Sequence, residues 1–196
     1  MSDFPFSIPR KADIARADTF SFKQYDEDDR DYTVTNGNPS DTNPNDKNGL
    51  IDTYLVCFAT TVGGNYSGVS LNFSVVGEWS NEEENKGVTI ARAKFNGSAY
   101  VYDKILRAAS SGTPARFISP FTIAFNQNQS STLECCNGNF IDTDIIANTL
   151  YSYTVLLVNS RSDTSTSVFN LNRVVNGTTN LTEERGVSSI TAQLFA

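Results

Sequence analysis

The sequence predicts an all-β protein, an antiparallel β-sandwich preceded by an extended N-terminal arm. Three observations carry that expectation. From residue 50 onward, short apolar or alternating segments recur about every 8–12 residues. Turn formers such as Asn96-Gly97 and Asn176-Gly177 separate them, and no long segment keeps a helical period. Charged residues make up only 19% and hydrophobic residues 39%, with Ser, Thr and Asn filling the balance. That mix suits short strands and polar turns, whereas a helical protein favours Ala, Glu, Lys and Leu. One sandwich can absorb all 196 residues. A chain of this size buries roughly 70% of its unfolded surface and needs no staple.

Residues 1–18 read as the arm. Pro5 and Pro9 keep its start extended, and 11–18 can make one or two helical turns. Period-two spacing puts Phe4, Phe6 and Ile8 on one face of an extended segment. Such a segment cannot bury three large apolar side chains by itself. The arm is therefore expected to dock on another copy or another protein, with folding back onto its own sandwich as the alternative. A single sandwich domain is expected over 19–196. Residues 19–25 alternate, with Phe20 and Phe22 on one face, and read as a strand. The acidic run 26–31 and the Asn-, Asp-, Pro- and Gly-rich stretch 36–48 together read as a polar loop at 26–49. Further strands are expected at 51–62, 67–76, 88–95, 99–102, 115–125, 132–136, 140–146, 151–159, 167–175 and 188–195. Asn96-Gly97 is the strongest hairpin signal, because a type I′ turn needs positive φ at both central positions. Asn137-Gly138-Asn139 reads as another turn, and 103–110 as the one helical turn inside the domain. The run 151–159 is nearly continuous in apolar residues, as a strand covered on both faces would be.

The sequence has no histidine, which removes Ser-His-Asp and Cys-His machinery and imidazole metal sites. The carboxylates left for catalysis are Glu78, Glu82, Glu83, Glu84, Asp142 and Asp144. The Glu triplet reads as a solvated turn. Asp142 and Asp144, two apart, would share one strand face and could form a coupled pair or hold a cation. Gly63-Gly64-Asn65-Tyr66-Ser67-Gly68 fits neither phosphate-binding glycine pattern and also misses Gly-x-Ser-x-Gly. A non-enzymatic protein is expected. In 41–52, the oxygen side chains of Asp41, Asn43, Asn45 and Asp52 fall at positions 1, 3, 5 and 12 of a calcium loop. Asp46 replaces the turn glycine, Pro44 intrudes, Asp52 replaces the bidentate Glu, and no helix flanks the segment. Calcium is the one cofactor this pattern suggests; a polar loop dense in turn formers is the plainer reading.

The formal net charge of −7 repels phosphate backbones, so no nucleic acid is expected on the main domain. Arg10, Lys11 and Arg16 form the one local basic excess and read as a solvated arm. The three cysteines are odd in number and two are adjacent, so no disulfide framework follows. Cys57 reads as a small buried hydrophobe, while Cys135 and Cys136 would point to opposite faces of a strand. A bridge from Cys57 to one of them and an intersubunit bond both stay open. Six Asn-x-Ser/Thr sites occur, as expected by chance in such a composition, and no glycosylation is inferred.

The C-terminal half carries a resemblance. The segments Tyr151-Ser152-Tyr153-Thr154-Val155-Leu156-Leu157-Val158-Asn159, then Val168 to Val175, then Ser188-Ser189-Ile190-Thr191-Ala192-Gln193-Leu194-Phe195 look like the closing strands of jelly-roll modules. Such modules occur in complement-C1q/TNF-like spore and fibre heads and in viral capsid, decoration and spike proteins. The resemblance covers at most the last half and contains no diagnostic motif. It implies a jelly-roll-like sandwich that self-assembles to build or decorate a surface, and it carries over no catalytic residues. The expected function is a structural component of a virion or other extracellular particle, homo-oligomeric or joined to other proteins of that particle. The alternative is a carbohydrate-binding or adhesive module using loop Asp and Asn with Tyr66, Trp79, Tyr100 and Tyr102, whose rings can stack on glycans. The start of the chain shows no apolar core or cleavage site of a secretory signal, and no apolar run approaches the roughly 18 residues a membrane helix needs. Synthesis in a cytosol followed by release on a virion or extracellular surface fits this, as would a chain separated from its native signal.

Overall fold

The structure, a computed structural model, describes residues 21–26, 30–35, 49–79, 86–106, 123–124, 134–159, 166–172 and 186–196. Among these residues there are eleven strands and no helix. They are β1 (Ser21–Asp26), β2 (Arg30–Thr35), β3 (Leu50–Thr60), β4 (Gly68–Trp79), β5 (Lys86–Phe95), β6 (Tyr100–Ile105), β7 (Ile123–Ala124), β8 (Glu134–Asp142), β9 (Leu150–Asn159), β10 (Thr166–Leu171) and β11 (Ser188–Phe195). All pair antiparallel, in two sheets.

The eleven strands reduce to eight lines. One edge of β4 is taken by β8; the other carries β11 along Gly68–Ser74 and β10 along Gly77–Trp79. Leu171 pairs Gly77 and Ser189 pairs Ser74. Continued by one residue each way, Asn172 meets Val76 and Ser188 meets Val75, so β10 and β11 lie on a single line along β4. The Asn172 N–H on Val76 O at 2.8 Å fits that register. Outside this line lie β1, against β11, and β2, against β10. In the second sheet β9 takes one edge of β5, and β6 and β7 share the other. Numbered as lines in chain order, the sheets read 1-8-3-6 and 2-7-4-5, the eight-line jelly roll with its two Greek keys. Alternating strand direction gathers the loops after lines 2, 4 and 6 (61–67, 96–99 and 143–149) at one end. Thr61 ties two of them: its N–H donates to Thr149 O at 3.0 Å and its hydroxyl to Ile146 O at 2.6 Å.

The core fills the space between the sheets, with Trp79 against Phe169 at 4.9 Å between ring centroids and Phe73 against Phe140 at 5.9 Å. A smaller apolar cluster of Leu50, Ala91, Ile105, Leu156 and Val158 sits on the outer face of the second sheet. Strand β9 is therefore covered on both faces, as its continuous apolar run implies.

Several local expectations change. Asn137-Gly138-Asn139 is no turn: it pairs Ser74, Phe73 and Asn72 in mid-strand and fuses the expected 132–136 and 140–146 into β8. Strand β2 lies within the expected loop 26–49, with Tyr32 and Val34 facing the core. Asp103 to Ile105 are strand, not helix. Asn96-Gly97 does form a hairpin, but Phe95 pairs Tyr100 and only Gly97 of the two has positive φ (98°). The loop has four residues, closed by the Asn96 side chain, which accepts from the N–H groups of Ser98 and Ala99. In β3 the register slips between Asp52 and Val56. There the buried Thr53 hydroxyl donates to Val155 O at 2.7 Å and accepts from Leu55 N–H at 3.1 Å, filling the gap in the ladder.

Candidate functional site

Among the described residues, the densest cluster of charge lies at the end that holds 96–99 and 143–149. Its centre is Arg92, on the inner face of β5 in step with Val88 and Ile90 and 1% exposed. Asp142, the last residue of β8, brings a carboxylate from the opposite sheet. Arg92 Nη1 donates to both of its oxygens at 2.9 and 2.8 Å, and to Asp144 O at 2.6 Å. A second carboxylate comes from a β-bulge. Arg92 pairs Lys104 and Ala93 pairs Tyr102, which leaves Asp103 as the extra residue of β6. The bulge turns the Asp103 side chain toward Arg92, whose Nε donates to it at 2.6 Å and whose Nη2 also contacts it. Lys94 Nζ reaches Asp103 at 3.0 Å and Lys104 Nζ reaches Asp144 at 2.8 Å. Three cations thus meet three carboxylates. Tyr153 OH donates to Asp142 Oδ2 at 2.9 Å, and the Arg92 guanidinium lies over the Tyr151 ring at 5.2 Å.

The electrostatics follow from this geometry. Burial alone would lower the Arg92 pKa, but the hydrogen bonds and charge of Asp142, then those of Asp103, hold it above the ordinary arginine value. Burial opposes ionisation of Asp103, yet hydrogen bonds from Lys94 and Arg92 bring its pKa below the usual range. The Lys104 hydrogen bond does the same for Asp144. Burial, reinforced by the charge of Asp142, raises the Tyr153 pKa, so the phenol stays a donor. A cleft lined by Lys104, Ile105, Leu106, Ile141, Asp142, Thr143 and Asp144 opens beside the network. Asp142 and Asp144 do come together around a cation, but that cation is Arg92. They do not share a strand face, since β8 ends at Asp142 and Asp144 stands beyond it, largely exposed. What the arrangement does is fasten the two sheets to each other at one end.

The other candidates scatter. Asp52 lies exposed on β3; Asp41, Asn43 and Asn45 lie outside the described residues, as do Phe4, Phe6 and Ile8 and the Glu82 to Glu84 triplet. Among the described residues no group of three or more His, Cys, Asp or Glu is placed to hold a metal. The three cysteines are free thiols, with no bridge from Cys57. Cys136 is buried and Cys135 only partly, as opposite faces require. Trp79 is 1% exposed and cannot meet a sugar. Tyr66 and Tyr102 are half-buried against the two apolar clusters. Tyr100 is 41% exposed and lies between Phe58 and Phe95, with ring centroids 5.5 and 5.3 Å away. Neither of those phenylalanines nor Arg92 stands out in the sequence, because strand register alone makes them neighbours.

No protein-family model matches the sequence, and no curated protein matches it. Among solved structures, the chain is similar to the VP2 subviral particle of infectious bursal disease virus (TM-score 0.40, 10% identity, 91% of this chain and 41% of that one). It is also similar to the structure of the Gx strain of that virus (TM-score 0.37, 9% identity, 90% of this chain and 36% of that one). T=1 particles derived from the virus give a TM-score of 0.25 at 9% identity, over 90% of this chain and 40% of that one. The chain spans about two fifths of the length of the proteins it resembles.

Proposed function

We propose that this chain is a non-enzymatic structural subunit of a virion or other extracellular particle and that it self-assembles. The observation that carries the proposal is the strand order 1-8-3-6 over 2-7-4-5, an architecture used by capsid and lectin domains. Fold alone does not assign function, so the surface must choose between those uses. On the outer face of the second sheet, Phe58, Phe95, Tyr100 and Leu150 present apolar area near the 96–99 end. Aromatic side chains on a surface are what a subunit interface buries. The carboxylates that the sequence offered for catalysis at 142 and 144 are taken up by Arg92 and Lys104. The partners are copies of the chain or other proteins of the same particle.

Sedimentation velocity over a range of concentrations, with electron microscopy of the same samples, tests the proposal. Oligomers or particles are expected, and Phe58→Ser with Tyr100→Ser should yield a monomer with an unchanged β spectrum. A wild-type monomer at every concentration would overturn it. One feature favours a second reading: Tyr100, exposed between two phenylalanines, offers a ring platform for a sugar. Glycan-array binding by a monomer, lost in Tyr100→Ala, would favour that reading.

A further inference from the structure

A second set of buried polar groups lies at the opposite end of the sandwich from Arg92. Lys86 opens β5, Asn159 closes β9, and the two stand directly opposite each other in the antiparallel ladder. Opposed residues project to one face with Cβ atoms about 4.5–5.5 Å apart. That face is the interior, because Val88 and Ile90 continue the row from Lys86, and Val155 and Leu157 lead to Asn159, all in the main core. Lys86 is 1% exposed and Asn159 is fully buried. From the facing sheet Trp79 lays its ring 4.9 Å from Lys86 Nζ. Glu134, the first residue of β8, is buried too and near enough for its charge to act on Lys86. The Asn159 carboxamide is oriented, since its Nδ2 donates to Ser167 Oγ at 2.9 Å.

A lysine cation in such surroundings is costly. Burial pushes the Lys86 pKa down to about 8 against the opposing pull of Glu134, so part of the population is a neutral, nucleophilic amine near neutral pH. An amine, a carboxamide and a carboxyl group enclosed together are the components of an amide exchange.

We propose that Lys86 and Asn159 are joined by an intramolecular isopeptide bond, with Glu134 as the proton carrier. The neutral Lys86 nitrogen attacks Asn159 Cγ, and a new C–N bond forms. Glu134 takes the proton that the amine sheds and delivers it to Nδ2. The Cγ–Nδ2 bond breaks, ammonia leaves, and Glu134 returns to its starting form. No oxidant, metal or cofactor enters the balance. The product ties β5 to β9 covalently at the end away from the Arg92 network. It does not depend on what the protein assembles into.

Intact-mass measurement on the denatured full-length chain, followed by peptide mapping, tests this. The wild type should be lighter than its sequence by one ammonia, and its digest should contain a branched peptide joining the segments that hold Lys86 and Asn159. Lys86→Arg and Glu134→Gln should restore the full mass. If either variant fails to fold, the branched wild-type peptide still decides the matter. A folded wild type at full sequence mass would overturn the proposal. So would an ammonia loss that maps to a cyclic imide in a linear peptide around Asn159. Crosslinking that persists in Glu134→Gln would overturn the role of Glu134.

Discussion

Replacing Arg92 with Met removes the guanidinium and keeps most of the volume of the stem. Asp142 would then retain the Tyr153 hydroxyl at 2.9 Å, the Asp144 N–H at 3.2 Å and Lys104 Nζ at 4.0 Å, but lose both bonds from Nη1. Its side chain is 1% exposed, so water cannot replace them. Breaking a buried pair from one side costs about 3–5 kcal/mol. A domain of this size loses about 2–4 °C of melting temperature per kcal/mol, so Tm should fall by roughly 6–20 °C. Trp79, the one tryptophan and fully enclosed, gives the assay its signal: denaturant unfolding followed by fluorescence. Arg92→Met combined with Asp142→Leu removes both charges and should recover most of the loss, because apolar replacement of a whole buried pair is often neutral. The reasoning is refuted if Arg92→Met costs less than about 1 kcal/mol, the range of an exposed pair, or if the double variant is no more stable than the single one.

Two further outcomes follow from the same structure. Asp103 and Asp144 have folded pKa values below their ordinary 3.8, so the stability they contribute is fully present above about pH 4 and is lost as pH falls through the folded values. Urea midpoints taken from neutral pH down to about pH 2 should drop more steeply for the wild type than for Asp103→Asn, and parallel curves would contradict the network. Thr53→Val should cost about 1–3 kcal/mol in the same unfolding assay, because the Leu55 N–H and the Val155 carbonyl both lose the hydroxyl that bridges the slip in β3. A change within about 0.5 kcal/mol would mean that the strand closes the gap by itself.

What the sequence made legible was local. Alternation marks β11 at 188–195, and an unbroken apolar run marks β9 as covered twice, because each signal is contained in one strand. Turn chemistry misled at Asn137-Gly138-Asn139. There the Asn139 amide finds Ser70 Oγ, Leu71 O and Asn72 Oδ1 across the ladder, so a turn former is satisfied inside a strand. Strand β2 alternates Tyr32 and Val34 with polar residues, but the acidic run before it and the Asn-rich stretch after it hide the pattern. The Arg92 site was half legible: the two-residue spacing of Asp142 and Asp144 drew attention, but their partner lies fifty residues away from Asp142 in sequence. The jelly-roll order itself rests on three interrupted lines, whose continuity appears only in the pairing register.

The two ends of the sandwich treat a buried cation in opposite ways, and the choice of residue explains the difference. Arg92 uses three nitrogens to engage two carboxylates and a main-chain carbonyl, a fork that a lysine ammonium could not fill. Its guanidinium does not give up a proton, so the network is an ion pair at any pH that leaves the aspartates charged. Lys86 has a single nitrogen, placed over the Trp79 ring, and burial brings its pKa down to about 8 against the pull of Glu134, which lets it shed the charge that burial penalises. Arginine in that place would stay a cation and could not attack an amide. The end that needs a permanent charge holds the group that keeps it, and the end that holds a titratable amine sets it opposite the carboxamide with which it can react.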